Sequence, residues 1–600
     1  MTTRTAVGWW NALFPLVLLL PVGSPTVEAA DAEASQPAAP AGPQVPVALA
    51  WGPNGTLRVA LRDARQLVTV DPESGRVLDR LALPVRPSSL AALNDGTTLL
   101  VGGMDGDLVA VKSGVPTPLL RANGRGPVKV VALDGGRAAV ASPWDLTVRV
   151  VDVADGRVER TIELPFAAGA LRARPGRGLI AAAAFGGKLA DIHLESGRVR
   201  TRTLEGVNLS ALAFSGDGKE LLVGHMAQYG QVPVTSTNID WGLVLSSRLS
   251  AVRLSEFDKD APGADGGVVA GRQLTLDGSV HGAADPSALA VSPDGALVMI
   301  ALSGAHQVLK NDRRLGSSGP EFSDLLPLGH NQGLETVEVG RSPVDVVFDP
   351  SGKTVVTADS MSDTLTVVRV ADLSVVRTIR LGPDVVRRTA AQRGEAAFRD
   401  GRLALDRWMS CASCHPSGHT NGLNFDTLGD GGYGAAKNTP TLLGVGPTGP
   451  FAWTGRFPSL AAQVHQSLQT SLRGSSSDEQ TVADLSAYLA TLPPPPARRP
   501  ADDPSVRRGA VVFEARGCQG CHRPPHYTSG GVKDVGLDDG PGGHRAFNPP
   551  SLRGVGWTAP YFHDGHAASL DEVLKTHTPA ARSPLSTADL ADLKAFLESL

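Results

Sequence analysis

A short apolar run closed by a turn glycine recurs along the first two thirds of this chain. The copies are Val47–Ala50 before Gly55, Leu90–Leu93 before Gly96, Val130–Leu133 before Gly136 and Ala170-Leu171 before Gly176. They continue as Ala211–Phe214 before Gly218, Ala288–Val291 before Gly295 and Val344–Phe348 before Gly352. The first five turns lie about 40 residues apart, the length of a four-stranded blade. A second strand-and-turn signal repeats in phase: Val68–Asp71 to Gly75, Val148–Asp152 to Gly156, Ala190–His193 to Gly197 and Val367–Val370 to Asp372. Alternating runs joined by polar turns read as strands. Seven copies predict a seven-bladed all-β propeller over residues 46–385, in which radial repetition buries each blade against its neighbours. Residues 226–285 and 304–342 read as insertions, either functional loops on one face or surface decoration.

From about residue 386 the pattern turns helical. Gly394, Phe398 and Leu403 lie on one helix, and Leu485, Tyr488, Leu489 and Leu492 form a stripe on another. Gly509, Val512 and Phe513, and then Leu590, Leu593, Phe596 and Leu597, repeat the arrangement. These stripes are core. Pro493–Pro496 breaks the helix and divides two mainly α units, 386–497 and 505–600, each the size of a small cytochrome c domain. Each unit carries one Cys-x-x-Cys-His run, and the two runs use all 4 cysteines. This is the attachment signal for c-type haem: the thiols bond to the vinyl groups and the histidine ligates iron. Two covalently attached haem c groups are therefore expected, at Cys411, Cys414 and His415 and at Cys518, Cys521 and His522. The alternative is a split zinc site. Against it stand the long interval from Cys414 to Cys518 and a histidine for each pair. No cysteine is left for a structural disulfide.

Arg4, the apolar run Leu13–Leu20 and the small-residue site Val27-Glu28-Ala29 read as a signal peptide over residues 1–29, with a retained anchor as the alternative. The run is too short to span a bilayer, and the mature chain is expected to have no membrane span. Residues 30–45, rich in Ala and Pro, read as a linker. The expected location is periplasmic or otherwise exported. A net charge of −4 gives no reason to expect nucleic acid or an anionic membrane as partner. Six hundred residues exceed one hydrophobic core.

The segment Pro550–Gly565 resembles the second haem domain of the bacterial di-haem cytochrome c peroxidases and methylamine-utilisation di-haem enzymes. Asn438–Leu443 and Ala452–Arg456 form the sister motif in the first unit, so the resemblance covers residues 386–600. The repeat region resembles YVTN-type propellers of exported bacterial proteins, which implies architecture and not activity. The haem-domain resemblance implies peroxide binding at the first haem and electron supply from the second. It implies an electron-relay role for Trp453 between them, with a packed interface aromatic as the alternative. It also implies calcium held by the Asn438 side chain and the Thr558 and Pro560 carbonyl oxygens, and oxygen ligands suit that ion. Gln463 matches the family's distal glutamine.

The chain departs from the family twice. No methionine follows Met409, and the sixth-ligand position of the second haem falls on His577. A bis-histidine iron, His522 with His577, is expected, at a lower potential than His/Met ligation gives. A solvated loop histidine is the alternative. Arg473 stands where the resemblance places an acid–base glutamate, and arginine cannot act as a base. His419 and His465 remain as candidates for acid–base catalysis or a sixth ligand at the first haem, with ordinary surface histidines as the alternative. The expected function is peroxidase-like redox chemistry: peroxide reduction or a related one-electron oxidation at the first haem, the second haem as electron store, and a small redox protein as electron partner. The alternative is a non-enzymatic electron-transfer protein with the propeller as docking module. A separate catalytic site in the propeller is a third reading, without a supporting constellation.

Overall fold

The structure, a computed structural model, describes residues 38–121, 126–174, 178–259, 267–269, 271–278, 281–312, 334–474, 478–540, 543–577 and 585–600. The expected signal peptide and the first part of the linker lie outside the described residues. Seven four-stranded antiparallel sheets follow one another along the chain, each built from consecutive strands. The first runs through Pro46–Trp51, Leu57–Leu61, Gln66–Asp71 and Arg76–Ala82, and the last through Pro343–Phe348, Thr354–Asp359, Thr364–Arg369 and Val375–Arg380. The first strands of successive blades pack on one another, and that of the last blade packs on Pro46–Trp51. The fold is thus a closed seven-bladed propeller. The turn glycines of the repeat, Gly55, Gly96, Gly136, Gly218, Gly295 and Gly352, have φ between +67° and +73°. That left-handed conformation is why glycine marks these turns.

Burial follows position in the blade. Middle strands such as Leu297–Leu302 are buried almost throughout, because a blade is covered on both faces. Outer strands such as Val375–Arg380 are mostly exposed. The ends of the ring are latched by side chains. Asp345 accepts the Leu49 N–H at 2.8 Å, and Asp363 accepts those of Gln44 and Val45 at 2.9 and 2.8 Å. Leu49, Leu57 and Val59 share one apolar cluster with Val356, Leu365 and Val367.

The two expected insertions are shorter than the sequence suggests. Residues 226–285 contain the outer strands of the fifth blade, Ser246–Arg253 and Arg272–Thr275. Residues 304–342 contain those of the sixth, Gln307–Asp312 and Leu334–Glu338. Polar residues dominate the start of Ser246–Arg253, yet Ser246, Ser247, Arg248 and Ser250 are buried by their neighbours. Their polarity hid the strand from an apolar-run reading. Residues 228–245 do loop out, with a short helix Ser236–Asp240 capped by Thr235.

The helical part has two units of one design. In the first, the helix Ala390–Phe398 begins at a Thr389/Gln392 capping box and crosses Glu479–Thr491. In the second, Pro504–Ala515 crosses Thr587–Glu598. A Cβ on Gly394 would collide with the Asp484 carbonyl, and one on Gly509 with that of Asp592. The crossings are also matched in charge, Arg393 with Asp484 and Arg508 with Asp592. Val207, Met226, Val234, Val244 and Leu245 of the propeller form one core with Phe398, Trp408, Met409, Val464 and Leu485. Burying each such side chain contributes roughly 1.5–3 kcal/mol, so this junction is a core and not a hinge. No helix among the described residues is long and apolar enough to cross a membrane.

Candidate functional site

Cys411–Cys414 forms a one-turn helix closed by reciprocal serine caps. Ser410 Oγ accepts the Ala412 N–H at 3.1 Å, and Ser413 Oγ accepts the Ser410 N–H at 2.8 Å. The turn sets Cys411, Cys414 and His415 on the wall of a cavity of about 400 Å³. Phe398, Met409, Phe425, Leu442 and Leu489 make this wall apolar, and Gln463, Ser467 and Ser471 also line the cavity. His415 Nδ1–H donates to the His419 carbonyl at 3.2 Å, which leaves Nε2 free. Burial pushes His415 down to about 4 and both thiols up to about 12. Two cysteines and one histidine on an apolar wall, without a fourth ligand beside them among the described residues, fit a thioether-linked, histidine-ligated haem better than a four-ligand zinc site. Among the described residues, no group of three or more His, Cys, Asp or Glu side chains is placed to hold a metal ion.

The second motif is built more loosely. Gly517, at φ +71°, precedes the turn Cys518–Gly520, which has no side-chain cap. His522 Nδ1–H donates to the Tyr527 carbonyl at 3.1 Å, in the manner of His415. His577 follows the helix Leu570–Thr576, its ring 5.9 Å from that of Phe562. Its Nδ1 is buried without a hydrogen-bond partner. Burial and the nearby His522 push His577 down to about 4. The structure therefore brings His522 and His577 to one place.

The two units meet about a pseudo-two-fold relation. Asn438 Nδ2 donates to the Pro560 carbonyl at 2.5 Å, and its N–H to the His563 carbonyl at 2.7 Å. Asn548 Nδ2 donates to the Pro450 carbonyl at 2.6 Å, and its N–H to the Trp453 carbonyl at 2.7 Å. Ser459 and Ser569 cap the corresponding helices Leu460–Gln466 and Leu570–Thr576. At the same offset, Ser467 occupies the place of His577. Aligning the two halves of the sequence would have exposed this exchange.

Trp453 lines the cavity at the junction, its Nε1–H donating to the Asn438 carbonyl at 2.8 Å. Asn438, Thr558 and Pro560 line the same cavity. Turning the Asn438 amide would set its oxygen against the Pro560 carbonyl oxygen, an arrangement that a cation would hold. The matching Asn548–Pro450 bond indicates that a hydrogen bond alone also satisfies this geometry. Gln463 Nε2–H donates to Ser467 Oγ at 3.1 Å, while its Oε1 is buried without a partner. His465 does not line the cavity and pairs with Gln469 at 3.2 Å. His419 is buried outside the cavity. Its Nε2–H donates to the Trp557 carbonyl at 3.1 Å, and its Nδ1 accepts the Thr441 hydroxyl at 2.8 Å. The propeller rings of Trp144 and Phe185 pack on it at 5.3 and 4.4 Å. Arg473 bonds instead to the Val234 carbonyl at 3.0 Å and to the Tyr433 hydroxyl.

Sequence reasoning missed Asp430, the sole carboxylate among the described residues lining the cavity. It pairs with Lys437 at 2.8 Å, Lys437 reaches Asp539 at 3.1 Å, and Asp539 meets His563 at 2.9 Å. Its short segment Leu428–Asp430 packs against Ser467–Ser471. No local signal distinguishes this aspartate from a loop residue.

Residues 388–491 match the family model described as di-haem cytochrome c peroxidase. Over those residues the chain is similar to the di-haem cytochrome c peroxidases. The methylamine utilization protein MauG of Methylorubrum extorquens is 28% identical over 271 residues, covering 34% of this chain and 76% of that protein. The cytochrome c551 peroxidase of Pseudomonas aeruginosa is 26% identical over 268 residues, covering 34% and 77%. A solved structure of Kuenenia stuttgartiensis hydrazine synthase aligns over 58% of this chain and 100% of its own, at 23% identity and a TM-score of 0.48. This likeness sets the chain among peroxidase-like oxidoreductases, a family that implies covalently bound haem c.

Proposed function

We propose that the chain is an exported enzyme that reduces peroxide, or performs a related one-electron oxidation, at the site around His415. A second haem c, held by His522 and His577, is its electron store, and a small redox protein is the electron partner. The observation that carries this reading is the exchange of Ser467 for His577 between otherwise matching halves. Ser467 would offer no ligand to an iron held by His415 and would leave room for a small oxidant, whereas His577 would help His522 hold the second group. Haem c attached at Cys411 and Cys414 and at Cys518 and Cys521 supplies the one-electron chemistry when bound.

The chain's own residues supply the rest. The His419 carbonyl orients His415 and holds its proton on Nδ1. Gln463 and Ser467 offer hydrogen bonds on the cavity wall, and the apolar residues exclude bulk water. Asp430, steadied by Lys437, takes the proton-carrying role that Arg473 cannot fill and that His419 and His465 are poorly placed to fill. Trp453 bridges the units for electron passage. Calcium at Asn438, Thr558 and Pro560 belongs to the same reading, and chelation with EGTA should slow electron transfer between the haems.

Stopped-flow mixing of reduced protein with peroxide tests the reading. A high-spin signal should disappear on mixing, and Asp430→Asn should slow that reaction by about 10²-fold, the low end of acid–base catalysis. His465→Ala should leave it unchanged. Two low-spin signals that resist peroxide in every redox state would favour the non-enzymatic electron-transfer reading.

A further inference from the structure

The first attachment turn carries Ser410 and Ser413, where the second carries Gly517 and Gly520. Both serine oxygens already accept backbone N–H groups of the turn. Each hydroxyl proton is therefore free to donate elsewhere, and both go to one side chain. Ser410 Oγ donates to Asp285 Oδ2 at 2.6 Å, and Ser413 Oγ donates to Asp285 Oδ1 at 2.6 Å. Burial pushes the Asp285 carboxyl above its ordinary range, and a hydroxyl donor on each oxygen, with Arg399 and His306 nearby, works against that and favours the ionised carboxylate.

Asp285 is a propeller residue. It immediately precedes the inner strand Pro286–Val291 of the sixth blade and is held at φ +60°. Space is kept for it: a Cβ on Gly304 would come within 2.6 Å of Asp285 Oδ2. A second blade grips the same turn, through Asn208 Nδ2–H donating to the Ser413 carbonyl at 2.8 Å. The Asp285 carboxylate is close enough to Cys411 and Cys414 to disfavour negative charge on both sulfurs. Arg399 and His306 oppose its charge electrostatically, while His306 pairs with Asp400 and Arg399 lies beside Glu395. In a poorly polarisable interior, a fixed negative charge stabilises the more positive, oxidised state of a neighbouring redox centre.

We infer that Asp285 is a positioning residue by which the propeller holds the first attachment turn and lowers the reduction potential of the haem bound there, without acting on the second. This rests on reading Cys411, Cys414 and His415 as a haem site. It gives the propeller a part in the redox chemistry beyond that of a docking surface, and it separates the two haems electrically although their units share one design.

The test is a spectroelectrochemical titration of the full-length protein after its haems have been counted by mass. Asp285→Asn keeps the shape and removes the charge. The midpoint potential of the haem on the first motif should rise, and that of the second should stay. Asp285→Glu retains the charge and should bring the first potential back toward the wild-type value. Asp285→Ser, neutral and smaller, should raise it as Asp285→Asn does, and serves if the asparagine variant does not mature. An unchanged first potential in a two-haem neutral variant overturns the inference. So does an equal shift at both haems, or a shift that Asp285→Glu reproduces, because either would mark loosened packing. A wild-type chain lacking haem on the first motif overturns the underlying reading itself.

Discussion

The first haem unit is embedded and the second is appended. Phe398, Trp408 and Met409 share a core with propeller residues, and Asp285 and Asn208 reach into the attachment turn. In the second unit Phe513, Leu574, Leu593 and Leu597 form a separate cluster, and its turn carries glycines where the first has serines. The helix crossings at Gly394 and Gly509 are alike, so the difference does not lie in the unit's own frame. It lies in the groups that face each iron position and in what braces them from outside. On the proposed reading, a duplicated scaffold acquires two electrochemical roles through a few substitutions and one large neighbour.

Four experiments break or sharpen this contrast. The largest effect comes from removing attachment. Cys411→Ala with Cys414→Ala should reduce the haem count by mass from two to one and abolish the reaction with peroxide. Cys518→Ala with Cys521→Ala should also leave one haem, with reaction at the first site surviving for a single turnover. Equal loss of peroxide reaction in both variants would erase the division of roles.

Next is the exchange of the distinguishing pair. Ser467→His should convert the high-spin first iron to low-spin and suppress peroxide reaction, and His577→Ala should turn the second iron high-spin. Electron paramagnetic resonance reads both. An unchanged second signal in His577→Ala would move the ligand to His526, His544 or His566.

A third experiment contrasts the propeller with the haem units through pH. His225 is buried in the fifth blade, with Nε2 bonded to Ser250 Oγ at 2.8 Å, and burial lowers it from 6.5 to about 4. The folded protein prefers the neutral ring, so the contribution is fully present above pH 6.5. Between pH 6.5 and 4 the unfolded chain takes up a proton that the native chain does not, and stability falls by about 3 kcal/mol in all. Urea unfolding at pH 7 and pH 4.5 should show this loss in the propeller transition. His225→Gln should flatten it, and an equal slope in the variant would reject His225 as its source.

The smallest effect tests the distal wall. Gln463→Leu removes one hydrogen-bonding group and should slow the peroxide reaction roughly tenfold, matching a net hydrogen bond of about 1–1.5 kcal/mol. Slowing in the variant without any change in the second haem's spectrum would confine Gln463 to the first site.

Much of this was legible in the chain because it is periodic or contiguous. The turn glycines announce the blades, since the described ones take a left-handed φ at a fixed place after a strand, Gly176 lying outside the described residues. The attachment runs declare their chemistry within five residues. Gln463 and Trp453, placed by family resemblance, do line the cavity. His419 and His465 could not be separated from true distal groups by sequence. Whether a histidine faces a cavity, a solvent-facing glutamine or a propeller tryptophan depends on helix rotation and on which blade arrives beside it. The outer strands of the fifth and sixth blades escaped for a related reason: Ser246, Ser247 and Arg248 are buried by neighbours and not by their own polarity.

The sequence by itself determined the propeller, the two helical units and the two attachment motifs, because local period, turn geometry and covalent spacing act over a few residues. Only the tertiary structure decided that Asp285 meets Ser410 and Ser413, that Trp144 and Phe185 pack on His419, and that Asp430 reaches the cavity. The first two contacts join residues more than a hundred positions apart, and all three rest on how packed elements meet. Closing the ring and burying one shared core fixes which side chains meet, and no local pattern encodes that choice.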